Sequence, residues 1–130
     1  EKFLRATPSL RRLREKVERV AQRRWVRGLD QRKIIIRHPH AALNTLLQGA
    51  GACVMKKALT LLQEYVINKQ IKAFPVVNVH DEFQYEVQAD RADEFGRLAV
   101  QSIIDAGQQL NVRCQLNGEY KIGNNWSETH

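Results

Sequence analysis

The spacing of hydrophobic and polar residues changes several times along this chain, and the changes mark out its elements. Leu10, Leu13, Val17 and Val20 recur at the spacing of one helix face, while Arg11, Arg12, Arg14, Lys16 and Arg19 crowd the others. Thr7-Pro8 just ahead supplies a cap and a first helical residue. A loop around Gly28 and a short strand over Lys33–Arg37 follow. Pro39, within His38-Pro39-His40, suits another helix start. There Leu43, Leu46 and Leu47 are expected to be buried, and His40, Asn44 and Gln48 form a polar stripe at i, i+4 and i+8. After Gly49-Ala50-Gly51, a second helix is expected, with Met55, Leu59, Leu62 and Val66 inward.

The period then shortens to that of strands. Phe74–Val79 is valine-rich and Phe83–Val87 alternates, so the two read as a hairpin with His80-Asp81-Glu82 at its tip. Asp90 is expected to cap a further helix that buries Phe95, Leu98, Ala99, Ile103, Ala106 and Leu110. Val112, Cys114 and Leu116 alternate as a strand, Asn117-Gly118 signals a turn, and Tyr120 and Ile122 suggest a return strand. The tail from Gly123 to His130 reads as irregular. The whole is α+β: a small antiparallel sheet, made of the hairpin plus a C-terminal strand, packed with several helices.

At 130 residues and 43% hydrophobic, the chain is expected to be one domain with a modest core. No run is long or apolar enough to span a bilayer, and no secretory signal is visible. A cytoplasmic location is therefore expected. The first residue is Glu1 rather than methionine, so the chain reads as a piece of something longer. Cys53 and Cys114 lack metal-ligand spacing and are expected to be reduced and buried.

Charge is uneven. Through Arg37 there are 13 Lys and Arg against 4 Asp and Glu, a balance of +9, whereas from His38 onward 8 stand against 10, a balance of −2. The first segment therefore suits a phosphate backbone. A solvated helix face is the plainer alternative, and a membrane-surface helix would look similar but has no second anchor in the chain. Trp25, among Arg23, Arg24 and Arg27, could stack on a base or pack on its own domain.

Asp81 and Glu82 are the strongest candidates for chemistry. Adjacent carboxylates repel, and a divalent cation offsets that repulsion. Magnesium prefers such oxygens and keeps waters for a phosphate substrate. Metal-assisted work on phosphate is thus one reading of the triplet, and a plain acidic turn is the other. Asn44 and Gln48 each offer a donor and an acceptor, which suits base edges; an exposed polar helix face is the alternative.

The order of these features resembles family A DNA polymerases, of the phage-type branch. The block from His38 to Ala52 looks like the helix after the fingers in that family, and Val79-His80-Asp81-Glu82 looks like its third polymerase motif. Gly123-Asn124-Asn125-Trp126 through a terminal His130 is similar to the phage-type ending. The likeness covers nearly the whole chain and implies a basic helix and connector over 1–37 and a C-terminal palm portion over 38–130. It also implies that Asp81 binds catalytic magnesium, that Glu82 supports the metal or its waters, and that His80 contacts the primer near its 3′ end. Asn44 and Gln48 match residues along the duplex minor groove. His40 stands where bacterial DNA polymerase I types carry arginine, and His130 matches a terminal histidine that approaches the active site.

The implied reaction is template-directed nucleotidyl transfer from dNTPs to a primer 3′-hydroxyl, with two magnesium ions. The implied partners are primer-template DNA and dNTP, in the cytoplasm of a bacterial host. The family carries a second metal-binding aspartate on an upstream strand and a nucleotide-binding fingers helix, and this sequence contains neither. The 130-residue chain alone is therefore expected to be inactive. A sheet edge left without that strand is expected to favour a homodimer.

Three rival readings stand beside this resemblance. An HD-type metal phosphohydrolase needs the dipeptide on a helix and further ligands at helical positions. A zinc site from His38, His40 and Cys53 has poor spacing. A basic duplex-DNA-binding module without catalysis would use Asn44 and Gln48 with little metal dependence.

Overall fold

The computed structural model describes residues 6–129. The chain divides into two compact units, Glu1–Gly51 and Ala52–His130. In the first, helix α1 (Pro8–Ala21) starts at Thr7 with Pro8 in its first turn, although the Thr7 side chain makes no capping bond. Val17 and Ala21 are buried, while Leu13 and Val20 of the expected apolar face stay exposed. Strands β1 (Trp25–Arg27) and β2 (Lys33–Ile35) pair antiparallel, Val26 opposite Ile34. The sequence pattern did not reveal β1, which is three residues long. A tight turn joins the strands: the Gly28 amide donates to the Arg32 carbonyl at 2.9 Å, and Gln31 takes a left-handed φ of 67°. Val17, Ala21, Val26, Ile36 and Ala42 form this unit's core.

A 3-10 turn (Pro39–Ala41) leads into helix α2 (Ala42–Asn68). One helix runs where two were expected. Gly49 and Gly51 lower its stability, by roughly 1 kcal/mol each relative to alanine, without breaking it. Gly49 makes room for Ile34, whose Cδ1 lies 3.2 Å from where a Cβ would stand, whereas Gly51 faces open space. Leu47 is exposed, not buried, because it lies three residues after Asn44 and shares the polar stripe's side. The helix ends in a Schellman motif: Gln70 is left-handed at φ 53°, and the Ile71 amide donates back to the Val66 carbonyl at 3.0 Å.

The second unit holds the hairpin. Strands β3 (Ala73–Val79) and β4 (Glu82–Val87) pair antiparallel from Ala73–Val87 to Val79–Glu82. The register shifts between Pro75 and Val77, leaving Val76 as a bulge. Phe83, Tyr85 and Val87 pack on a core of Leu62, Val66, Ile71, Phe95 and Ala99. Among the described residues the other edge of β3 has no strand partner, and Phe74 and Val76 are exposed.

After a 3-10 turn (Ala89–Arg91), helix α3 (Ala92–Gln109) begins. Arg91, not Asp90, occupies its N-cap; Asp90 lies within the 3-10 turn and accepts a bond from Gln88 at 3.1 Å. The expected inner face is buried or half-buried, and Ser102 joins it, its hydroxyl donating to the Ala99 carbonyl at 2.7 Å.

The fold is α+β as expected, but the C-terminal strand is absent from it. Residues 112–122 form no ladder, and Asn117-Gly118 forms no turn. This stretch runs extended along α3, in the opposite direction to the helix. Leu116 packs over Gly107, Gly118 meets Ile103, and the Tyr120 ring covers Gly96, where a Cβ would lie 2.2 Å from it. Tyr120 also donates to Asp93 at 2.7 Å. From Gly96 to Gly107 the helix rises about 16 Å, close to the ~13 Å that an extended chain covers from Leu116 to Tyr120. Side-chain contact with helix glycines thus replaces backbone pairing. Cys114 sits on this strap exposed, and Cys53 is half-buried; both are free thiols. The tail expected to be irregular forms one helical turn, α4 (Trp126–Thr129), and His130 lies outside the described residues.

Candidate active-site hairpin and nucleic-acid surface

Strand alternation fixes the geometry of the acidic tip. Val79 and Glu82 are the last paired residues, so His80 and Asp81 alone make the connection. Such two-residue loops require a positive φ to match strand twist, and His80 supplies it at 54°. Histidine is among the non-glycine residues that enter this region more readily. Both loop residues are exposed. Glu82 starts β4 on the face that also carries Gln84 and Glu86, opposite the core-facing Phe83 and Tyr85.

Glu82 is held rather than loose. The Gln84 amide donates to its carboxylate, and Gln84 in turn lies 3.3 Å from the Thr129 hydroxyl of α4. The sequence reading missed both contributors. Gln84 was within its reach, since residues two apart share a strand face; Thr129 meets the hairpin only through the folded tail. Among the described residues, no group of three or more His, Cys, Asp and Glu converges on one point. Asp81 and Glu82 therefore offer a two-carboxylate donor set at a water-facing tip. That set fits a hard cation bound through one or two carboxylates, with waters and phosphate oxygens completing the shell.

The other candidates lie in the first unit. His40 is in the 3-10 turn and stacks on His38, ring centroids 5.6 Å apart. Asn44 and Gln48 follow on α2, and all three stripe residues are exposed. On α1, Arg11 pairs with Glu15 at 2.9 Å and Arg14 with Glu18 at 2.8 Å. Arg12, Lys16 and Arg19 are exposed on one stripe at i, i+4 and i+7. The β1–β2 ribbon adds an outward face of Trp25, Ile35, Arg27 and Lys33. The Lys33 ammonium sits 4.9 Å from the Trp25 ring centroid and the Arg27 guanidinium 6.0 Å. Trp25 is thus half-buried beneath its own cations. Ile35 and Lys33 were not singled out from sequence, because the facing of a three-residue strand needs its partner.

Comparison with known proteins points to one class, the DNA polymerases. The chain is 35% identical over 156 residues to the DNA-directed DNA polymerase of Enterobacteria phage T3, an alignment that covers 100% of this chain and 22% of the relative. Identity and coverage are the same for the DNA-directed DNA polymerase of Escherichia phage T7. The fold is similar, at a TM-score of 0.74 and 19% identity, to the polymerase domain of Pol1 from M. smegmatis, solved with DNA primer-template and dNTP; the match covers 82% of this chain and 21% of that one. The sequence model of DNA polymerase family A matches residues 1–128, and the chain belongs to that family. It spans about a fifth of the length of these phage relatives.

Proposed function

We propose that this chain supplies the C-terminal palm portion of a DNA-directed DNA polymerase, preceded by a basic helix and connector over residues 1–37. The observation that carries the reading is His80-Asp81-Glu82 at the exposed end of a two-residue hairpin loop. Asp81 and Glu82 would hold magnesium. When bound, the metal supplies Lewis acidity toward phosphate oxygens and the attacking hydroxyl. Gln84 holds the Glu82 carboxylate by a hydrogen bond, and His80 would meet the primer near its 3′ end. Asn44, Gln48 and His40 would follow the duplex minor groove, where acceptors common to all base pairs report shape rather than sequence. His130 is assigned to the active site with them, and the basic stripe on α1 to the phosphate backbone. The reaction is template-directed nucleotidyl transfer to a primer 3′-hydroxyl, with primer-template DNA and dNTP as partners in a bacterial cytoplasm. The β3 edge, without a strand partner among the described residues, is where a second copy would add, and light scattering over a concentration series reads that association.

Manganese is the test probe for the metal site. Paramagnetic broadening of amide signals is expected to centre on residues 80–82 and to disappear in Asp81→Ala. Broadening centred elsewhere, or unchanged by that substitution, would sink the reading. A stand-alone duplex-binding role is the second reading, favoured by the exposed Arg12, Lys16 and Arg19 stripe. It would be supported by primed-duplex binding that needs Asn44 and Gln48 but ignores metal.

A further inference from the structure

Residues 123–128 are all exposed, whereas Thr129 directly after them is half-buried. Glu128 folds this stretch back on itself. Its carboxylate accepts from the Asn124 amide at 2.7 Å and from the Asn125 side chain at 2.8 Å. Gly123 permits the return, because a Cβ there would stand 2.6 Å from the Glu128 Cβ and 3.1 Å from Thr129 Cγ2. The fold-back brings Thr129 against β4, 45 residues away in sequence, where its hydroxyl donates to Gln84 Oε1 at 3.3 Å. The Trp126 carbonyl, at 3.0 Å, is a second acceptor for the same hydroxyl and keeps it on the hairpin side of the turn.

The polarity of these bonds runs one way. An ionised carboxylate only accepts, so Gln84 turns its Nε2 toward Glu82. Its Oε1 then points to the tail, where a donor is required, and Thr129 is that donor. Glu82 and Gln84 lie on one face of β4, so the tail reaches the acid through side chains alone. Asp81, by contrast, sits on the exposed two-residue loop. A carboxylate already held in one geometry loses less conformational freedom when it takes up a cation. We propose, on the reading of Asp81 and Glu82 as magnesium carboxylates, that Gln84 and Thr129 are positioning residues through which the folded tail sets the Glu82 carboxylate for the metal. Neither residue is a ligand; each acts through Glu82.

The test titrates manganese into the 130-residue chain and reads broadening of the backbone amides of residues 80–82, alongside the Gln84 side-chain amide signals recorded without metal. Thr129→Val keeps the shape of the side chain and removes its hydroxyl, whereas Thr129→Ser keeps the hydroxyl. Thr129→Val is expected to weaken manganese about threefold, below the roughly 10–100-fold that loss of a ligand's direct partner costs, because Thr129 stands one bond further out. Thr129→Ser should restore the native affinity. Gly123→Ala, which pushes Glu128 and Thr129 away without touching the bonded groups, should match Thr129→Val. In both weakened variants the Gln84 side-chain amide signals should move toward those of free glutamine. A role for Thr129 in packing alone would reverse the order, with Ser the weaker variant and Val close to native, and would overturn the proposal. Manganese bound at residues 80–82 with an affinity indifferent to Thr129→Val, or Gln84 signals of the native chain already at free-glutamine positions, would overturn it while leaving the metal reading in place. Manganese that never reaches residues 80–82 would overturn both.

Discussion

His80 stands at the hairpin tip in a backbone conformation that costs the fold. Its φ of 54° belongs to the left-handed region, where an L side chain costs on the order of 1 kcal/mol. Glycine would occupy the same turn without that strain. His80→Gly is therefore expected to raise stability by about 0.5–1 kcal/mol in urea unfolding, and to weaken primed-duplex binding at the same time. A variant both less stable and equally good at binding would show that the imidazole is a structural group. Tyr65 makes a second case. Its hydroxyl donates to Asp105 at 2.5 Å, joining α2 to α3, and its pKa is pushed up to about 12, chiefly by that bond and then by burial. The folded state thus holds the proton more tightly than the unfolded chain, whose tyrosines titrate near 10. The bond's contribution is complete below about pH 10 and is lost as pH rises toward 12, amounting to about 1 kcal/mol once solvent screening of a part-exposed pair is allowed for. Urea midpoints across that range should fall more steeply for the native chain than for Tyr65→Phe; parallel curves would exclude the coupling. Asp81 and Glu82 were legible in sequence because hydrophobic runs on both sides isolate a polar triplet. The Tyr65–Asp105 bond was not, since its partners lie 40 residues apart.

Elements were readable where local pattern and packing agree. The hairpin and α3 follow their periodicities closely, whereas α1 buries Val17 and leaves Leu13 and Val20 of the same face exposed. Two of the departures, the unbroken α2 and the missing C-terminal strand, turn on glycines whose role tertiary contacts decide. Gly51 lies inside α2 with nothing near its absent Cβ, so it only weakens the helix. Gly51→Ala should stabilise by about 0.5–1 kcal/mol, read as a rise in the urea midpoint. Gly96 is the opposite case. A methyl group there would strike the Tyr120 ring, displace the strap and break the Tyr120–Asp93 bond. Gly96→Ala is expected to destabilise by about 1–3 kcal/mol and to speed hydrogen exchange in residues 112–122 specifically. The same helix-propensity change thus acquires opposite signs at two positions. The alternation of Val112, Cys114 and Leu116 was real, but it records alternate residues facing a helix rather than a neighbouring strand.

For the chain as a whole, the decisive property is the division of charge. The balance of +9 through Arg37 and −2 beyond it was visible in the sequence; how much of the positive side is available was not. The structure shows Arg11 and Arg14 already paired with Glu15 and Glu18, while Arg12, Lys16 and Arg19 remain exposed on one stripe. If that stripe meets phosphates, each contact contributes close to −0.9 to the slope of log affinity against log salt. Removing three cations should then flatten the slope by about 2.7, and weaken binding most at low ionic strength. Fluorescence anisotropy on a primed duplex, comparing the native chain with Arg12→Gln/Lys16→Gln/Arg19→Gln, measures this directly. Asp81→Asn provides the contrast: it lies on the acid tip, so it should leave the salt slope of metal-free binding nearly unchanged. A slope insensitive to the triple substitution would return α1 to the role of a solvated helix. Duplex recognition would then fall to the Asn44 and Gln48 stripe and the Trp25–Ile35 ribbon face, surfaces that depend on shape and stacking more than on salt.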